Sequence, residues 1–188
     1  MKALNSWKKN AQSLMKGNPN GYKTHKAYIA VLEHIYAIDW SGACHATTAV
    51  IASILKAQGV IADPFIGECQ EGNIYFDHSW VLVDGEIFDV AVSNTLIQGL
   101  HFPPVYRGYD LTTSNPTSIA YGVVSGRGYD PTAEMIRRLP VLEYMSNFPG
   151  YPEGLFGVAE QISRQMGNRI SAAKLQKGIA ETIWCERT

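Results

Sequence analysis

Asp84-Gly85 lies between two runs rich in aromatic and β-branched residues, IYFDHSWVLV and EIFDVAV. Both residues accept the positive φ that the tightest hairpin connection needs at its two central positions, so the dipeptide predicts two antiparallel strands. Side chains alternate along such strands: His78, Trp80 and Leu82 share one face, and Ser79, Val81 and Val83 share the other. A turn at this place pairs residues whose numbers sum to about 169, which brings His78 and Asp89 within about one pair of register and onto a common face. Asp77 points the other way.

Upstream, the period of the apolar residues changes. Tyr28, Val31, Leu32, Ile35 and Ile38 recur at helical spacing, which predicts an amphipathic helix over residues 25–38 introduced by the turn-like NPNG. WSG interrupts the pattern, and Ala46, Val50, Ile54 and Ala57 resume it in a second helix from residue 43 or 44 to 58, with Gly59 at the position of a terminating glycine. Cys44 therefore falls in a first helical turn. VIADPFIGEC, which follows, reads as another strand. Residues 93–131, rich in Gly, Pro, Ser, Thr and Tyr, read as loop with one or two short strands. The rest reads as helices broken by Pro140 and FPGYPEG. The expected architecture is α+β: a single domain over 1–188, with a core at about 22–131 and a helical extension at 132–188. The first 20 residues are expected to form a disordered tail.

Charge narrows the function classes. With 16 Lys+Arg against 17 Asp+Glu, the chain lacks the basic excess that a duplex nucleic-acid surface requires. No apolar run approaches the roughly 20 residues of a membrane span, and the N-terminus lacks the apolar block of a secretory signal, so a cytoplasmic protein is expected. Three cysteines are too few, and odd in number, for a disulfide framework; reduced thiols are expected. Cys69 and Cys185 read as small core residues. His25, His34 and His101 read as surface or satisfied polar groups. No metal-ligand spacing is present, and neither a metal nor a cofactor is expected.

Cys44, His78 and Asp89 carry the chemistry. A cysteine acts as a nucleophile in its thiolate form, and the free N–H groups and dipole at a helix start favour that anion. An imidazole nearby can take the thiol proton and return it to a leaving group, and a carboxylate behind the imidazole fixes its tautomer and orientation. Asp89 within IFDVAV is costly to bury unless it has such a partner.

WSGACHATTAVIASILKAQGV, IADPFIGEC and DHSWVLVDGEIFDV together resemble the transglutaminase-like superfamily of papain-type cysteine enzymes, over about residues 38–92. Cys44, His78 and Asp89 match that family's nucleophile, base and orienting residue. Their compact separations of 34 and 11 residues look like those of small bacterial or phage members. His45 departs from the pattern, since many members carry Trp after the nucleophile. The resemblance implies a papain- or transglutaminase-like core, with the nucleophile-bearing helix packed on an antiparallel sheet. It also implies acyl transfer through a Cys44 thioester on a peptide or protein amide, ending in hydrolysis, deamidation or transamidation.

The Cys44 backbone N–H is the expected oxyanion donor, with the Trp40 indole as a second donor and Trp80 of the His-x-Trp pattern as a further oxyanion or substrate-binding candidate. Two other readings stand beside this one: an acyltransferase of the arylamine-acetyltransferase type, and a non-catalytic protein-binding module on the same scaffold. The faces of the C-terminal helices are compatible with a homo-oligomer.

Overall fold

A computed structural model describes residues 2–96 and 100–186. Three helices come first, α1 (Lys2–Leu14), α2 (Gly21–Ala37) and α3 (Cys44–Ala57). The strands β1 (Asp63–Glu71), β2 (Ile74–Val83) and β3 (Glu86–Asp89) follow. A 3₁₀ turn at Ala91–Ser93 leads to the short strands β4 (Val105–Tyr106), β5 (Tyr109–Asp110) and β6 (Ala120–Val123). Helices α4 (Pro131–Ile136), α5 (Val141–Ser146), α6 (Gly154–Gln165) and α7 (Ala172–Ile179) then precede β7 (Cys185–Glu186). The fold is mixed, helices with a largely antiparallel sheet in the order β5-β4-β3-β2-β1-β6. No described helix is long and apolar enough to cross a membrane.

The hairpin forms in the expected register, with Val81 opposite Phe88. Asp84 and Gly85 have φ of 53° and 79°, the two positive values that let the connection follow the strands' twist. The strand after the turn is shorter than expected. It stops at Asp89, because the Asp89 carboxylate accepts the backbone N–H groups of Ala91 and Val92 and so bends VAV into the 3₁₀ turn instead of continuing the ladder.

The two faces of β2 belong to different apolar clusters. Val81 and Val83 join the main core with α2, α3 and the C-terminal helices. Trp80 lies in a second cluster with Cys69, Val92, Val105, Ile119 and Tyr121. Helix α3 is almost wholly interior, as a segment apolar around its whole circumference requires. Its polar side chains turn inward on their own helix: Thr47 donates to the Ala43 carbonyl and Ser53 to that of Val50.

One expectation is corrected by packing. The N-terminal segment is a helix, not a disordered tail: Ala11 is fully buried, Leu4, Trp7 and Leu14 pack on the main core, and the Trp7 indole donates to Thr112 at 2.8 Å. The C-terminal segment, read as an extension within one domain, contributes Leu155, Phe156, Ile162, Leu175 and Trp184 to the core cluster that also holds Ala11. Helix α7 approaches α3 so closely that a Cβ on Gly178 would lie 2.9 Å from the Ala57 nitrogen. β7 then pairs in parallel with β1 at Phe65 and Ile66, alongside β6, which takes the same edge of β1 at Glu68–Gln70.

Candidate active site

Asp89 is 2% exposed and each of its carboxylate oxygens is saturated. Oδ1 accepts the N–H groups of Ala91 and Val92 at 3.0 and 3.1 Å. Oδ2 accepts the Tyr121 hydroxyl at 2.9 Å and lies 2.7 Å from His78 Nε2. A buried carboxylate held by this many donors is fixed in place. Tyr28 braces the same residue by donating its hydroxyl to the Asp89 backbone carbonyl at 3.2 Å. With Nε2 committed to Asp89, Nδ1 is the ring nitrogen of His78 left for Cys44, and the two side chains lie close enough for each to shift the other's titration.

Cys44 opens α3 and is half-buried. Ala43 at the cap position offers no side-chain acceptor, so the first N–H groups of this 14-residue helix are left uncapped beside the sulfur. Burial raises the thiol pKa, but the charges and hydrogen bonds of His45 and His78 overcome it and bring the value down to about 5. His78 shows the complementary displacement. Burial lowers its pKa, and Asp89 together with Cys44 carries it up to about 10. Around neutral pH the pair is thiolate and imidazolium.

The three sequence-predicted residues are thus brought together. The two tryptophans are not. Trp80 is fully buried, stacked on Phe65 at a centroid distance of 5.8 Å and set edge-on to Tyr121 at 5.1 Å. It lines no cavity at the site and serves as a packing residue behind the His78–Asp89 pair. Gly67 admits it, since a Cβ there would stand 3.0 Å from the indole ring. Trp40 packs against His34, Phe148 and Tyr151. Replacing Trp80 with phenylalanine is expected to lower the melting temperature by several degrees through cavity formation, while the pH profile of Cys44 alkylation stays in place. A displaced profile would give Trp80 a role in the chemistry.

Cys44 opens onto a cleft of about 380 Å³ whose walls include His45, Phe76, His78, Phe102 and Asp130. A second cavity of about 340 Å³ lies on the other side of Gly42, His45 and Thr132, which line both. Trp40, Met135, Tyr144 and Phe148 give the second cavity an apolar, aromatic wall. Burial holds the Tyr144 phenol above its ordinary pKa, and the nearby Cys44 reinforces this, so Tyr144 is a neutral hydroxyl. Gly42, with φ of 66°, makes the turn that separates the cavities. Asp77 accepts the Asp130 N–H at 2.6 Å, and burial raises its pKa.

Sequence reasoning missed Tyr121, Tyr28 and the anchoring of His45, whose Nδ1 lies 2.7 Å from Ser79 Oγ. Tyr121 arrives on β6 from a loop-rich stretch and carries no local signal. Alternation did place Ser79 on the face opposite His78, which is the face α3 covers. Two of the remaining histidines differ from expectation: His25 and His34 each have Nε2 buried without a hydrogen-bond partner among the described residues, and burial lowers both pKa values. Cys69 is fully buried, as expected of a core thiol. No group of three or more His, Cys, Asp or Glu among the described residues is arranged to hold a metal ion.

No family model, no curated protein and no solved structure matches this chain.

Proposed function

We propose that this chain is a cysteine-dependent acyl-transfer enzyme acting on peptide or protein amides, built on a papain- or transglutaminase-like core. The observation that carries the reading is the buried 2.7 Å contact between His78 and Asp89, set beside a cysteine at an uncapped helix start. A binding module gains nothing from burying an imidazole–carboxylate pair against a thiol, since the desolvation of such a pair offsets much of its attraction.

In this mechanism the Cys44 thiolate attacks the amide carbonyl carbon, and the carbonyl π electrons move onto oxygen. The tetrahedral intermediate collapses as His78 gives its Nδ1 proton to the departing amine, leaving a Cys44 thioester. His78, now neutral, takes a proton from water or from an acceptor amine as it attacks the thioester. The thiolate then leaves, and the starting ion pair is restored. Asp89 holds the imidazole through Nε2 in both halves. Water as acceptor gives hydrolysis or deamidation, and an amine gives transamidation. No cofactor enters this sequence. The reduced thiols suit a cytoplasmic setting.

The test uses iodoacetamide and p-nitrophenyl acetate with the intact chain. Alkylation at pH 6 is expected to modify Cys44 well ahead of Cys69 and Cys185, with the sites read by peptide mass spectrometry. The ester should release one equivalent of nitrophenolate in a burst and leave an acetyl group on Cys44. An unreactive Cys44, or one no faster than an ordinary thiol, would overturn the enzyme reading and favour a binding module. Slow turnover that an added arylamine relieves, with acetyl-CoA able to replace the ester as acetyl donor, would favour the arylamine-acetyltransferase alternative.

A further inference from the structure

Two imidazoles flank Cys44, and the acyl-transfer mechanism uses one. His45 follows the nucleophile, lines both cavities, and is anchored rather than free: its Nδ1 lies 2.7 Å from Ser79 Oγ, and its ring meets Trp184 edge-on at 6.2 Å. Ser79 is 1% exposed, and its hydroxyl has no other side-chain or carbonyl acceptor among the described residues. A buried hydroxyl in this position donates to Nδ1, which makes His45 the tautomer with a proton on Nε2. Protonated His45 carries that proton as well. With Nδ1 committed to Ser79, Nε2 is the ring nitrogen left for Cys44, which His45 meets where the two cavities border one another.

We propose that His45 is a catalytic residue whose Nε2–H, together with the Cys44 backbone N–H, holds the oxyanion of the tetrahedral intermediate. This rests on the acyl-transfer reading. Trp40, the second donor expected from the sequence, lines the second cavity alone, whereas His45 borders both, at the junction where a carbonyl bound to Cys44 must sit. No bond is made or broken at His45. It donates a hydrogen bond that strengthens as the carbonyl oxygen gains charge, and it needs no reorganisation because Ser79 already fixes the ring.

Two probes separate this role from simple thiolate activation. Alkylation by iodoacetamide is a displacement at carbon that forms no oxyanion, whereas acylation by p-nitrophenyl acetate does form one. Both are measured at their high-pH plateaus, where the thiol is fully ionised in every variant. His45→Leu is expected to lower the acylation plateau on the order of 10²-fold, with the alkylation plateau within about threefold of wild type. His45→Gln, which keeps an N–H, should recover most of the loss.

An unchanged alkylation plateau shows that the variant is folded around Cys44. If His45→Leu does not fold, His45→Ala is read in the same way. Equal losses in both plateaus, or no loss in either, would overturn the proposal. A wild-type chain that fails to acetylate at Cys44 overturns the acyl-transfer reading itself; one that acetylates normally while His45→Leu does too overturns the His45 role alone.

Discussion

Replacing His78 with alanine is expected to slow alkylation of Cys44 at pH 6 by on the order of 10²-fold. In the intact site the thiol titrates at about 5, so most of it is thiolate at that pH. Burial alone pushes this thiol the other way, and removing His78 takes away one of the two imidazoles that oppose burial. His45, the larger of the two lowering influences, stays in place, but without His78 the thiol titrates higher than in the intact site and the reactive fraction at pH 6 falls. The wild-type alkylation rate should rise as pH increases through about 5 and then stay level. Turnover of an amide should behave differently at high pH. It needs the imidazolium proton for the leaving amine, and so it should decline again as His78 deprotonates near 10. Stopped-flow alkylation across this range checks the first limb, and amide turnover checks the second. A His78→Ala variant with the wild-type alkylation profile would remove His78 from the site.

Asp89→Ala carries the second large expectation, a loss of stability of about 3–5 kcal/mol. The substitution strips four donors of their acceptor at once: the N–H groups of Ala91 and Val92, the Tyr121 hydroxyl and the His78 ring. For a chain of this length the melting temperature should fall by roughly 10 °C or more. Asp89→Asn separates fold from chemistry. It keeps the shape and one acceptor oxygen but removes the charge that raises the His78 pKa. That variant should melt closer to wild type and still lose acylation by on the order of 10³-fold or more, since the imidazole loses its orientation and its proton.

The contribution of His78 to stability has a definite sign in pH. His78 titrates higher in the folded chain than its ordinary 6.5, so its contribution is full below 6.5 and is lost as pH rises through about 10. Calorimetric melts of wild type and Asp89→Asn should converge toward that limit. Asp89→Asn with wild-type acylation would show that the carboxylate only supports the fold.

What could be read ahead of the structure was whatever the local pattern determines. The hairpin register followed from Asp84-Gly85, and the start of α3 followed from the break at WSG and the helical period after it. Those two readings place Cys44, His78 and Asp89. The donors that surround Asp89 from afar were not legible, because Tyr121 reaches it on a short strand paired to β1 and Tyr28 from a helix 61 residues away. The N-terminal helix escaped because its few apolar residues, Leu4, Trp7, Ala11 and Leu14, acquire meaning only against the surface they cover. Trp80 was drawn to the site by its neighbour His78. Alternation put both on one face, but it does not say which part of that face is filled by Phe65 and Tyr121 and which opens to the cleft.

His78 and Ser79 are consecutive on β2, and they look to opposite sides of the sheet. One imidazole is rooted in that strand and the other is tethered to it, so β2 works as a ruler against which both sides of the sulfur are measured. A strand tolerates many exchanges of side chain but no change of phase: inserting a single residue between Ser79 and Asp84 would turn both marks to the wrong side and carry His78 away from Asp89 in the same stroke. Spacing, counted from one two-residue turn, is therefore the most stringent demand this site places on its sequence.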